Sequence, residues 1–151
     1  MTESTCPFCP LVAALETADT YRSPSGEVSR RVALLPTSVA ILGTDQYYRG
    51  YCIVIARRHA TELYHLPDAE STAYFQEMLR VARAIDRAFS PRKMNYELLG
   101  NTVAHLHWHL FPRDAGDPNP SRPVWENAHD PTRLAEPEYS ATIDAIRRHL
   151  G

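Results

Sequence analysis

Residues 105–111 read His-Leu-His-Trp-His-Leu-Phe. Side chains in a strand alternate faces, so His105, His107 and His109 share one face and Leu106, Trp108 and Leu110 share the other. The apolar row belongs to the core. Three imidazoles in a row on the opposite face are not filler. They cannot all be charged at close range, and neutral rings need hydrogen-bond partners when buried. Two chemistries use such a row. His-x-His is a common two-ligand metal spacing, and imidazole is a good zinc ligand. Alternatively, a neutral imidazole attacks an electrophile while its neighbours fix tautomer and protonation. Spacing alone divides these two evenly. A solvated histidine face is a third reading, at odds with an otherwise core-like strand.

The rest of the chain bounds the setting. It has 151 residues, 44% hydrophobic and 23% charged, as one globular domain would. A chain of this size buries roughly 68–70% of its unfolded surface, enough for a core without disulfide staples. No apolar run approaches the ~18 residues of a membrane span. Residues 1–5 carry no basic residue and no apolar stretch follows them, so no secretory signal is expected and the cytoplasm is the expected compartment. Sixteen basic and 18 acidic residues give a formal net charge of −2. That excludes a polybasic surface for duplex nucleic acid, while a small anionic ligand held by local donors remains open. Three cysteines, an odd number, do not make a disulfide framework. Cys6 and Cys9 have the spacing of half a zinc site or of a redox pair. A redox pair usually opens a helix after a strand, and no strand precedes this one.

Periodicity supplies a coarse element order. A short helix is expected over residues 11–18 and a turn-rich loop over 21–26. Strands follow over 31–35 and 38–42, broken at Pro36-Thr37, and again over 51–56. Residues 67–89 form the strongest helix. Asp68 can cap it, and Tyr74, Phe75, Met78, Leu79, Ala82 and Ile85 recur on one face. Strands are expected over 95–99 and 103–111, with Gly100-Asn101 as the turn. A Pro-rich loop occupies 114–137 and a terminal helix 138–150. The pattern implies an α+β layout, an antiparallel sheet with one long helix and a C-terminal helix.

The segment His105-Leu106-His107-Trp108-His109-Leu110-Phe111 has the alternation by which the chain resembles the histidine triad (HIT) superfamily. Gly100-Asn101-Thr102-Val103 resembles the Gly-Gln-Ser/Thr-Val that precedes the triad in many members, and Pro112-Arg113 the Pro-Arg that follows it. Ile53-Val54-Ile55-Ala56-Arg57-Arg58-His59 is similar to the upstream strand and its Pro-Lys-x-His element. Cys6-x-x-Cys9 resembles the N-terminal pair of zinc-containing bacterial members. The resemblance runs from about Cys6 to Arg113.

The resemblance implies a HIT-like fold, usually a homodimer, and chemistry at the α-phosphate of a nucleotide. Residues 1–113 would form the HIT domain, cysteine pair included. Residues 114–151 would be a Pro-rich loop and a helix packed on it. His107 maps onto the family's nucleophile and would carry a nucleotidyl intermediate before release to water. His109 would contact the α-phosphate or leaving-group bridge and assist proton transfer. Asn101, Thr102 and Val103 would bind the phosphate oxygens. Cys6, Cys9, His59 and His105 map onto a structural zinc site, with His65 as a substitute ligand. Histidine rather than glutamine at position 109 favours a hydrolase, whose substrates would be dinucleoside polyphosphates or nucleoside phosphoramidates. The alternatives are a nucleotidyl transferase or phosphorylase, and a zinc-stabilised nucleotide-binding protein with little turnover.

Some residues depart from the family pattern or lie outside it. Arg49-Gly50-Tyr51 stands where many relatives have Pro-Gly-His. Asp45 and Gln46 are candidates for a base or ribose contact. Trp125 would cover the site or a dimer partner, or serve only as packing, and Arg113 would meet phosphate or be an exposed structural residue. Trp108 belongs to the core, Cys52 is a buried small apolar residue, and His129 and His149 are surface residues.

Overall fold

The computed structural model describes residues 2–151. Its elements run α1 (Phe8–Leu15), β1 (Thr20–Arg22), β2 (Val28–Leu34), β3 (Ser38–Leu42), β4 (Cys52–Ala56), α2 (Asp68–Phe89), β5 (Lys93–Glu97), β6 (His107–Arg113) and α3 (Glu136–Arg147). The strands form one antiparallel sheet in the order β1-β2-β3-β4-β6-β5. This is the α+β layout expected from the sequence, an antiparallel sheet with one long helix and a C-terminal helix.

The apolar runs of β3 and β4 read as continuous rather than alternating because they are covered on both faces. One face carries Ala40, Leu42, Cys52, Val54 and Leu110 against α2 and α3. The other carries Val39, Ile41 and Ile55 against Leu11, Val12 and Leu15 of α1. Directly paired residues share a face. The pairs Ile55–His107 and Ile53–His109 therefore put both histidines on the α1 side.

In α2, Tyr74, Met78, Val81, Ala82 and Ile85 are buried at helical spacing, and the Tyr74 hydroxyl donates to the Val54 carbonyl at 2.9 Å. Phe75, expected on that face, is 45% exposed at the helix margin. Asp68 does not cap: it is the first helical residue, after Pro67, and acts only as negative charge in the first turn. The helix ends with Ser90 in the left-handed region at φ 49°, directly before Pro91.

Elsewhere the boundaries shift. The α1 helix starts three residues earlier than its apolar periodicity suggests, which brings Cys9 into its first turn. The expected loop over 21–26 is part of a hairpin between β1 and β2, turned at Gly26 with φ +89°. The β6 strand begins at His107, not 103. Its approach instead bonds to the segment after β4, with Leu106 N–H on the Ala60 carbonyl and Ala56 N–H on the Leu106 carbonyl. The α3 helix starts two residues before the expected point, because Pro137 is tolerated in a first turn. Tyr139, Ile143 and Ile146 join the main core, and Arg30 lies 4.1 Å over the Tyr139 ring while pairing with Glu136.

Candidate functional site

The four sequence-predicted ligands come from four places in the fold: Cys6 before α1, Cys9 within it, His59 after β4 and His105 before β6. Their ligand atoms all lie within 4.8 Å of one another. His105 Nδ1 is 3.3 Å from Cys6 Sγ, 3.8 Å from Cys9 Sγ and 3.2 Å from His59 Nδ1, and Cys9 Sγ is 3.3 Å from His59 Nδ1. A tetrahedral ion with Zn–S and Zn–N bonds of ordinary length would set these edges at about 3.3–3.8 Å. The donor set therefore fits a metal in both type and size. The tautomer fits as well. His105 Nε2 lies 2.8 Å from the Ala56 carbonyl, which can only accept, so the proton sits there and the Nδ1 lone pair faces the cluster. Burial, and then the hydrogen bond and charge of Cys6, push the Cys9 thiol up to about 11. A bound cation would reverse that tendency. His65 is outside the cluster, paired with Thr61 Oγ1 at 3.2 Å.

Two residues on, the arrangement inverts. His107 Nδ1 lies 2.6 Å from the His105 carbonyl, so the proton is on Nδ1 and Nε2 keeps its lone pair. Burial holds this ring's pKa below the usual histidine value, so it is neutral near pH 7. Phe8 packs edge-on against it at 4.9 Å. The His109 ring is 4.8 Å away, pushed down to about 4 by burial and then by the neighbouring His107. Its Nδ1 is 2.6 Å from the Tyr51 hydroxyl. With the phenol donating, the proton of neutral His109 falls on Nε2. A nucleophilic nitrogen and a donating nitrogen thus stand side by side.

Both rings line a cleft of about 400 Å³ with Asn101, Thr102, Val103 and Trp125. All three expected phosphate contacts are at the cleft, on the bend that follows Gly100 at φ +79°. Phe8 also lines a second, mostly apolar cleft of about 400 Å³ with Leu11, Tyr21, Ile41 and Ile53.

Tyr51 escaped the sequence reading, although its signal was present. In a strand with Ile53 and Ile55 it falls on the histidine face. Phe8 was visible only as part of the Cys-x-x-Cys segment. Other expectations are corrected. The Arg113 guanidinium is spent on the Pro-rich loop, bonding to Asp117, to Asn95 Oδ1 at 2.8 Å and to the Asn119 and Arg122 carbonyls, so it is structural rather than phosphate-facing. Gln46 is buried, bonding to the Gly43 and Tyr51 carbonyls, and Asp45 accepts from the Tyr47 and Thr132 backbone. Both shape a loop. His129 is not a free surface residue but pairs with Asp45 at 3.0 Å. Trp108 is half-buried against Phe75, and its Nε1 is buried without a partner.

These features define a class: a small α+β protein with a histidine pair, one ring oriented by a backbone carbonyl and the other by a tyrosine hydroxyl, beside a Cys2His2 cluster. The chain belongs to the HIT domain family, whose model matches residues 27–116. It is 30% identical over 113 residues to Protein hit of Bacillus subtilis, covering 72% of this chain and 70% of that one. It is 29% identical over 85 residues to the asymmetrical bis(5'-nucleosyl)-tetraphosphatase of Schizosaccharomyces pombe, covering 53% of this chain and 47% of that one. It is 34% identical over 89 residues to an AP-4-A phosphorylase of Mycobacterium tuberculosis, covering 53% and 44%. The chain thus spans less than half the length of the last two. Among solved structures, a histidine triad protein from Bradyrhizobium japonicum superposes with a TM-score of 0.75 at 30% identity, covering 82% of this chain and 91% of that one. A Zn-bound histidine triad family protein from Mycobacterium smegmatis shares the fold at a TM-score of 0.66 and 21% identity, covering 99% and 95%. No helix among the described residues is long and apolar enough to cross a membrane.

Proposed function

We propose that the protein is a nucleotide hydrolase acting at the α-phosphate through a nucleotidyl-His107 intermediate. The carrying observation is the His107 ring, fixed by the His105 carbonyl so that Nε2 is the free nucleophile in a cleft shared with His109 and Asn101–Val103. His107 Nε2 attacks the α-phosphorus, an N–P bond forms, and the bond to the bridging oxygen breaks. The leaving phosphate departs with that electron pair. His109 Nε2–H donates to the oxygens on which charge accumulates, as do Asn101 and the backbone at Thr102 and Val103. Water then attacks the phosphorus, the N–P bond breaks, and the nucleoside monophosphate leaves with one proton released. The apolar cleft at Phe8 and Ile53 suits the nucleoside that stays attached.

Cys6, Cys9, His59 and His105 would hold a structural zinc, which joins α1 to the ends of two strands and leaves no open coordination position. The Zn-bound relative supports the choice of ion. In this reading residues 1–113 are the HIT domain, and 114–151 complete it. Two copies would pair around the open edge of β5, where Phe75, Tyr96 and Leu99 are 45%, 41% and 54% exposed. A nucleotide substrate and free thiols suit the cytoplasm.

The test is turnover of diadenosine tetraphosphate and adenosine phosphoramidate by the wild type and His107→Ala, with products resolved in the presence and absence of phosphate. Monophosphate formation is expected from the wild type alone. Products that incorporate phosphate would instead assign a phosphorylase, the activity named for the Mycobacterium tuberculosis relative. Nucleotide binding that survives His107→Ala, with no turnover by either protein, would contradict the enzyme reading.

A further inference from the structure

The cleft does not end at His109. Beyond it on the same face lies a slot of about 220 Å³. Phe111 forms its floor, with the Tyr51 ring stacked on it at 4.2 Å and 6°. Trp125 forms the outer wall, edge-on to Phe111 at 5.3 Å and to His109 at 5.4 Å. The indole N–H is held by the Glu97 carboxylate, which anchors the ring while leaving it 56% exposed. Asp45 and His129, bonded to each other at 3.0 Å, give the far end a polar rim. Trp125 lines both the slot and the histidine cleft, so the two spaces share one wall.

In-line displacement places nucleophile and leaving group on opposite sides of phosphorus. His107, His109 and Phe111 succeed one another on one face of β6. For a phosphorus held over His109, attack from His107 would send the leaving group toward Phe111 and Trp125. The retained nucleoside has the separate apolar cleft at Phe8, Ile41 and Ile53. The slot is smaller than the ~300–1,000 Å³ of a drug-sized site, the right scale for one planar ring system. Aromatic walls with a polar rim recognise a nucleobase by stacking.

We propose that the slot walled by Tyr51, Phe111 and Trp125 takes the base of the departing nucleotide when the substrate is a dinucleoside polyphosphate. This rests on the nucleotidyl-His107 reading above. A phosphoramidate whose leaving group is ammonia has nothing to place there. A flexible phosphate chain lets a second base fold back onto the indole.

The test has two readouts. The first is the ratio of kcat/KM for diadenosine tetraphosphate to that for adenosine phosphoramidate, in the wild type, Trp125→Ala and Trp125→Phe. The ratio falls about tenfold in Trp125→Ala, the scale of one lost stacking contact, and by less in Trp125→Phe. An unchanged ratio overturns the proposal. The second is tryptophan fluorescence of His107→Ala titrated with diadenosine tetraphosphate and with AMP. The dinucleotide quenches, AMP does not, and the quench disappears when Trp125→Phe is added. Absence of a dinucleotide-specific quench also overturns the proposal. A quench without wild-type turnover keeps the slot and removes the catalytic reading. Turnover with an unchanged ratio and no quench does the reverse.

Discussion

His105 and His107 stand two residues apart, both almost fully buried, and each has one ring nitrogen on a backbone carbonyl. The nitrogen differs. The Ala56 carbonyl takes Nε2 of His105 and turns Nδ1 toward two thiols. The His105 carbonyl takes Nδ1 of His107 and leaves Nε2 for the cleft. Identical residues in one motif thus acquire opposite chemistry from the backbone atom each meets. The surroundings follow the same division. The His105 corner is closed, with four donors converging from separate segments. The His107 side is an open cleft. Under the proposed function, metal ligation and nucleophilic attack, the two readings left open by the alternation of histidines, divide between neighbours.

The largest effect that would break this comparison is on turnover. His107→Ala is expected to lose on the order of 10³-fold or more in kcat while melting close to the wild type. His105→Ala should show the converse pattern: bound metal measured by atomic spectroscopy falls to near zero and the melting temperature drops. Equal loss of turnover with equal metal content in the two variants would merge the roles. Stripping the metal with a chelator should lower the melting temperature by about 10 °C, equivalent to a few kcal/mol in a domain of this size. Turnover assayed well below the new midpoint should fall far less. A catalytic metal would give the opposite order.

Tyr51→Phe sharpens the division on the open side. It removes the hydroxyl that holds His109 Nδ1, at little cost in ring packing on Phe111. About a tenfold fall in kcat with KM nearly constant is expected, since the tautomer of His109 matters most as charge develops. An unchanged kcat would remove Tyr51 from the positioning of His109.

The smallest effect lies at the slot's rim. Burial works against a charged His129, but hydrogen bonds to the Asn127 carbonyl and to Asp45, with the Asp45 and Asp130 charges, raise its pKa above the ordinary value. The charged ring's contribution is therefore complete below the usual histidine pKa and is lost as pH rises through the raised one. Thermal melts of wild type and His129→Gln between pH 5.5 and 8.5 should show a wild-type advantage of under ~1 kcal/mol that shrinks toward alkaline pH. An advantage that grows with pH would contradict this assignment.

The legible part of the sequence was the part written in spacing. Alternation placed His107 and His109 on one face, and the Cys6-x-x-Cys9 spacing offered half a metal site; the full set of Cys6, Cys9, His59 and His105, which the fold brings together, came only from the resemblance to zinc-containing HIT members. Alternation puts Tyr51 on the face of Ile53 and Ile55, but its contact with His109 also depends on how β4 pairs with β6, which a single strand's pattern does not carry. Trp108 looked like core by alternation. Its position at the sheet margin beside the exposed Phe75 depends on how far α2 extends over β6. Arg113 matched the family's Pro-Arg, but its buried partner Asp117 lies in a loop whose path no periodicity reveals.

On the proposed mechanism His107, and not its neighbours, carries the nucleotide. Mixing the wild type with diadenosine tetraphosphate, quenching in base and mapping the modified peptide by mass spectrometry tests it directly. One nucleotidyl group is expected, on His107. An adduct on His105 or His109, or steady turnover with no trappable adduct at all, would contradict it.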